Sequence, residues 1–178
     1  MSQLDELLKQ RSSVRTYDNR PVEIEKLLLC IDAARQAPSA RNNQPWKFII
    51  TTETTCLRKL SEAIHVPGEE VNKFVYNAPA MITVVYEDIK KPVSPNRHPH
   101  SYYYDLDHGL AIGYLLLKAT ELGLGTCIVG QIHDMTKLKH VLGLTEKDAV
   151  KIIITVGYSK DDYQPKKIRK SLDEIVII

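Results

Sequence analysis

The chain has 178 residues, 43% hydrophobic and 26% charged, which suits a single soluble globular domain with a real core. Its net charge of +2 excludes the strong basic excess of most nucleic-acid binders, and no apolar run approaches the roughly 18 residues of a membrane span. Cys30, Cys56 and Cys127 are widely spaced with no Cys-x-x-Cys, so they read as free thiols in a reducing compartment; no basic-then-apolar leader precedes Gln3, and a cytoplasmic protein is expected.

Leu4, Leu7 and Leu8 predict a short amphipathic helix ending near Arg11. Arg11-Ser12-Ser13-Val14-Arg15 follows, with two guanidiniums and two hydroxyls that suit phosphate oxygens, or equally a charged helix end. Pro21 introduces a second helix whose stripe, Ile24, Leu27, Leu28, Ile31 and Ala34, is assigned to the core. Between that helix and a strand from Trp46 to Thr51 lies Pro38-Ser39-Ala40-Arg41-Asn42-Asn43-Gln44-Pro45. Two prolines stiffen this segment, and its amides and hydroxyls offer donors and acceptors to a ligand with many polar edges. They serve equally to cap a turn by bonding their own backbone. Trp46 reads as a core aromatic.

Thr54 to Ile64 is the third helix, with Leu57, Leu60 and Ile64 inward and His65 as a cap or surface residue. Pro67-Gly68 breaks the chain, and a short helix is expected from Glu69 to Val75. Ala80 to Tyr86 is nearly continuously apolar and β-branched, the pattern of a strand covered on both faces. Glu87 to Ser101, with three prolines, is a loop; its His98 and His100 lack a third ligand, so no metal site is assigned. Tyr102-Tyr103-Tyr104 either borders a substrate pocket or starts a helix packed on its neighbours. Asp105 to Leu122 is the longest helix, closed by Gly123, and its small residues Gly109, Ala111, Gly113 and Ala119 suit a close helix–helix contact. A strand through Cys127 to Gly130, a helix capped by Asp134 and a strand from Lys151 to Gly157 complete the order. Ser159 to Lys170 is polar, with Lys166 to Lys170 a solvated basic face or an anion patch, and Ile175 to Ile178 is β-prone. The alternation gives an α/β layer architecture.

The run from Ala37 to Trp46 resembles the Ala-Pro-Ser-x-x-Asn-x-Gln-Pro-Trp loop of the nitroreductase family, and Arg11 to Arg15 resembles a second element of that family at the expected interval. The resemblance extends to the C-terminus. It implies an α+β fold with a central, mainly antiparallel sheet flanked by helices in three layers, spanning residues 1–178 as one domain. It also implies a homodimer, with residues 159–178 as an arm that adds a strand to the partner's sheet. By resemblance FMN is held non-covalently, with Arg11, Ser12 and Ser13 on the phosphate side and Arg15 at the N1/O2 edge of the ring. Pro38, Ser39, Ala40, Asn42 and Gln44 would form the polar loop, Val129 and Gly130 would pass the N5/O4 edge, and Lys167 and Arg169 would return to the phosphate. Lys73 matches a pyrimidine-binding lysine; the companion asparagine falls at Glu70, with Asn72 beside it.

The implied activity is reduction of a small-molecule acceptor, a nitroaromatic, quinone or similar, at the expense of NAD(P)H, by ping-pong hydride transfer through flavin N5. No protein nucleophile is needed, and no catalytic residue is assigned. A flavin carrier or redox sensor without turnover would carry the same motifs. Neither a nucleic acid nor a membrane is expected as a partner.

Overall fold

Alternation along one strand sets the layers of this protein. The structure, a computed structural model, describes residues 2–86, 102–160 and 167–178. Four strands form one sheet: β1 (Trp46–Thr51), β2 (Ala80–Tyr86), β3 (Gly125–Val129) and β4 (Ala149–Gly157), in the order β1-β2-β4-β3, with every pair antiparallel. Because successive side chains of a strand point to opposite faces, β2 divides its residues between two cores. Ala80, Ile82 and Val84 meet α2 (Ile24–Arg35) and α4 (Tyr102–Glu121). Met81 joins Leu57, Leu60 and Ile64 of α3 (Thr54–Ile64) and Leu138 of α5 (Met135–Val141) on the other face. The result is the expected three-layer α+β arrangement, with β2 buried along nearly its whole length.

Local chemistry explains most boundaries. Helix α1 (Gln3–Gln10) starts with a capping box in which the Ser2 hydroxyl and the Asp5 carboxylate bond each other's backbone N–H. Helix α3 is capped by Glu53, whose carboxylate accepts from Thr55 N at 2.8 Å and Cys56 N at 2.7 Å. These bonds hold the Glu53 carboxyl down at about 2. Gly123, at φ +74°, closes α4.

The structure differs from the sequence reading at several places. The expected helix over Glu69 to Val75 is a 3-10 turn at Lys73–Asn77, entered through Asn72 in the left-handed region. In α2, Leu27, Cys30 and Ala34 are buried against the core shared with α4, whereas Leu28, off that stripe, and Ile24, in the first turn, are exposed. Helix α1 buries none of its leucines. A 3-10 turn at Leu172–Glu174 precedes Ile175 to Ile178, which are exposed in the single chain. The proline-rich stretch with His98 and His100 lies outside the described residues. No described helix is long and apolar enough to cross a membrane, and no group of three or more potential metal ligands exists among the described residues.

Candidate functional site

The segment Arg11 to Arg15 leaves α1 and runs beside the sheet edge. Arg11 closes α1 by donating its N–H to Leu7 O at 2.8 Å. Ser13 bridges Thr126 of β3, and Val14 N–H donates to Thr126 O at 2.9 Å. Gly125 makes this approach possible: a Cβ there would stand 2.7–2.9 Å from three atoms of Val14. Tyr17 adds a buried clamp, its hydroxyl 2.8 Å from Val14 O and 2.7 Å from the Thr155 hydroxyl; burial raises its pKa well above the ordinary phenol value.

Cations gather around this edge. The Arg15 guanidinium lies 5.9 Å from the Phe74 ring centre, and both Arg15 and Arg11 act on the Cys127 thiol, partly offsetting the upward push of burial. Lys167 donates to Leu8 O at 3.0 Å and to Lys9 O, so it caps the carbonyl end of α1. Its pKa is lowered by burial and then by the nearby charges of Arg11 and Arg169. Lys167 and Arg169 line a cleft of about 580 Å³ with Asp5, Leu8 and Lys9. Among the described residues, Arg11, Arg15, Lys167 and Arg169 form no ion pair with a carboxylate. Lys73 does: its ammonium is 2.8 Å from Glu70 in an exposed pair. Asn72 reaches over to Gln131 O at 3.4 Å, so the 3-10 turn meets the end of β3 near Val129 and the exposed Gly130.

The polar loop is built differently. Ser39 is extended, Ala40–Asn42 form a 3-10 turn, and Arg41, Asn42 and Gln44 have φ of +56°, +55° and +48°. The Ser39 hydroxyl accepts from Gln44 N at 2.9 Å, and Gln44 Nε2 donates to Asn42 Oδ1 at 3.0 Å. The amides thus bond within the turn, as the capped-turn reading expects, while Pro38, Asn42 and Gln44 stay exposed. The loop rests on α4, where Asp107 Oδ1 accepts from Ala40 N at 3.0 Å.

One chain does not bring these two groups together. β1 and β3 are opposite edges, and Trp46 and Thr126 also lie toward opposite ends of the sheet, since the register runs Trp46–Tyr86–Ala149 and Thr126–Val156. Inter-strand spacing and residue rise place the two corners about 25 Å apart.

Two buried residues escaped the sequence reading as site residues. Asp107 and His108 are 4% and 3% exposed, and Asp107 Oδ2 and His108 Nε2 have no hydrogen-bond partner among the described residues. His108 Nδ1 lies 2.5 Å from Tyr104 O, and the ring meets Trp46 edge-on at 6.4 Å. The signal was available: Asp107, Ala111 and Leu115 continue one inward stripe of α4 at steps of four, and a carboxylate on such a stripe requires a partner.

Residues 8–158 match the Nitroreductase family. A protein of Archaeoglobus fulgidus, to which NADH dehydrogenase/NAD(P)H nitroreductase activity is ascribed, is 33% identical over 165 residues, covering 89% of this chain and 88% of its own. An iodotyrosine deiodinase of Thermotoga neapolitana is 27% identical over 186 residues, covering 97% and 96%. The solved structure of an FMN-dependent nitroreductase from Clostridium difficile is 28% identical, with a TM-score of 0.72 over 94% of this chain and 92% of that one. With a match that spans both motifs, the sheet edge that carries Arg11 to Arg15 and the loop before β1, this chain belongs to the nitroreductase family, a family of oxidoreductases.

Proposed function

We propose that the protein is an FMN-dependent oxidoreductase that uses NAD(P)H to reduce a small-molecule acceptor. The observation that carries this reading is the group Arg11, Arg15, Lys167 and Arg169, which has no carboxylate partner among the described residues and in which burial, and then the charges of Arg11 and Arg169, push the Lys167 pKa down. Such a group calls for an anion, and arginine forks beside the Ser12 and Ser13 hydroxyls match phosphate oxygens. Bound FMN would supply the hydride chemistry. Arg11, Ser12, Ser13, Lys167 and Arg169 hold its phosphate, Arg15 and Lys73 stand toward the ring, and Val129 and Gly130 offer backbone at its edge. Arg15 favours negative charge on the ring by charge-assisted attraction, whereas the pairing of Lys73 with Glu70 tempers the contribution of Lys73.

The Ser39–Gln44 loop stands too far from the cations of its own chain to share one ring system with them, so a second copy supplies it. That homodimer is favoured by the apolar surface of α1 and α4, where Leu4, Leu8, Leu106, Leu110 and Tyr114 are exposed and an added Cβ at Gly109 or Gly113 meets nothing within 4 Å.

The deiodinase relatives favour a halogenated phenol as a second acceptor class beside nitroaromatics and quinones. Purified protein with a flavin spectrum, reduced anaerobically by NADH or NADPH and reoxidised by one of these acceptors over many turnovers, meets the proposal. Flavin binding without catalytic reduction assigns the chain to a carrier or sensor role, and absence of flavin binding overturns the reading.

A further inference from the structure

We infer that Asp107 is the positioning residue of the Ser39–Gln44 loop, its buried carboxylate fixing the Ala40 N–H and with it the polar edge offered to a flavin ring. This rests on the flavin reading above. Three residues of the loop, Arg41, Asn42 and Gln44, sit at positive φ without being glycine. Such a backbone persists only where surrounding contacts over-determine it. Most of the bonds in place are internal to the loop: Gln44 N to the Ser39 hydroxyl, Gln44 Nε2 to Asn42 Oδ1, and Asn42 N to Ser39 O. They fix the shape of the loop but not its place on the protein. The bond from Ala40 N to Asp107 Oδ1 at 3.0 Å does the second job, because it ties the first residue of the 3-10 turn to the helical layer.

The position of Asp107 argues against a purely structural role. It lies on the inward stripe of α4 with Ala111 and Leu115, 4% exposed, and its Oδ2 has no partner among the described residues. An apolar side chain would fill that stripe at less cost than a half-satisfied carboxylate. What the carboxylate adds is an acceptor for one backbone N–H of the loop. Asp107 does not touch the ring in this scheme; it acts through Ala40.

The test compares wild-type protein with Asp107→Asn, Asp107→Leu and Ala40→Pro. Asparagine keeps an acceptor at the same place, and leucine removes it while suiting the stripe. Proline removes the donor instead, at a first helical position preceded by an extended residue, where proline is tolerated. Each deflavinated protein is titrated with FMN and with riboflavin, which lacks the phosphate. Asp107→Leu and Ala40→Pro should weaken both flavins by about fivefold or more, the loss of one hydrogen bond. Asp107→Asn should stay within about threefold of wild type, and the double variant Asp107→Leu/Ala40→Pro should lose no more than either single one.

Wild-type affinity in Asp107→Leu overturns the inference. So does a loss confined to FMN, which would place the effect at the phosphate, and so does additive loss in the double variant. Should Asp107→Leu fail to fold, Ala40→Pro decides, with unchanged affinity for both flavins counting against the bond. Wild-type protein that binds neither flavin overturns the flavin reading and this inference with it.

Discussion

Replacing Gly125 by alanine tests how the cationic segment is held to the sheet. A Cβ at residue 125 would lie 2.7 Å from Val14 Cγ2, 2.8 Å from Val14 Cβ and 2.9 Å from Val14 Cγ1. Favourable carbon contacts begin at roughly 3.5 Å, so Val14 must retreat by about 0.6–0.8 Å. It has little freedom to do so, since it is 6% exposed and its N–H is bonded to Thr126 O at 2.9 Å. Overpacking of this kind costs about 1–3 kcal/mol. For a chain of this length that lowers the unfolding midpoint by about 2–12 °C. The displaced backbone carries Ser13 and Arg15 with it, so FMN affinity should fall in the same variant. Adding Val14→Ala removes both Cγ contacts and leaves the Cβ contact, so the double variant should recover part of the loss, with a coupling of about 0.5–3 kcal/mol in a double-mutant cycle. Thermal unfolding and a fluorescence titration with FMN read both quantities. A Gly125→Ala protein with unchanged midpoint and unchanged FMN affinity would refute the account of how residues 12–15 lie on β3.

Thr83, fully buried in the centre of β2, has a hydroxyl with no partner among the described residues, so Thr83→Val should stabilise the protein by about 1 kcal/mol in urea unfolding; a destabilised variant would reveal a partner. The Glu53 carboxyl is held down at about 2 from its ordinary 4.5 by the first N–H groups of α3, so its contribution is present above pH 4.5 and is lost as pH falls toward 2. Glu53→Gln should therefore flatten the fall in stability across that window, and an unaltered acid profile would remove Glu53 as its source. Removing residues 159–178 takes away Lys167, Arg169 and the exposed apolar end, and should abolish both dimerisation and flavin binding; a truncated chain that sediments as a yellow dimer would show that the tail does neither.

Much of the fold was legible because its determinants are local. The spacing of Leu57, Leu60 and Ile64 marks the buried face of α3 without reference to any partner, and the β-branched run Ala80 to Tyr86 declares a strand covered on both sides. The cap at Asp134 and the left-handed Gly123 follow from side-chain and backbone chemistry within one turn of helix. The two motifs were likewise readable as a family resemblance, which the match over residues 8–158 bears out, whereas their residue types alone left a capped turn and a charged helix end open beside a ligand site.

What only the tertiary structure decided are relations between distant segments. Strand order places the loop before β1 and the segment beside β3 at opposite corners of the sheet, and nothing in either motif encodes that order. The stripe of α2 was misassigned at Ile24 and Leu28 because periodicity shows that a helix has an apolar face, whereas its neighbours decide how wide a face they cover. Gly125 could be read as a permissive residue, but the need for it comes from Val14, which chain folding brings against it. Asp107 is the sharpest case. Its composition says only that a charge interrupts an apolar helix; the packing of α4 beneath the Ser39–Gln44 loop turns that charge into the acceptor for Ala40, because a hydrogen bond exists only where folding brings donor and acceptor within reach.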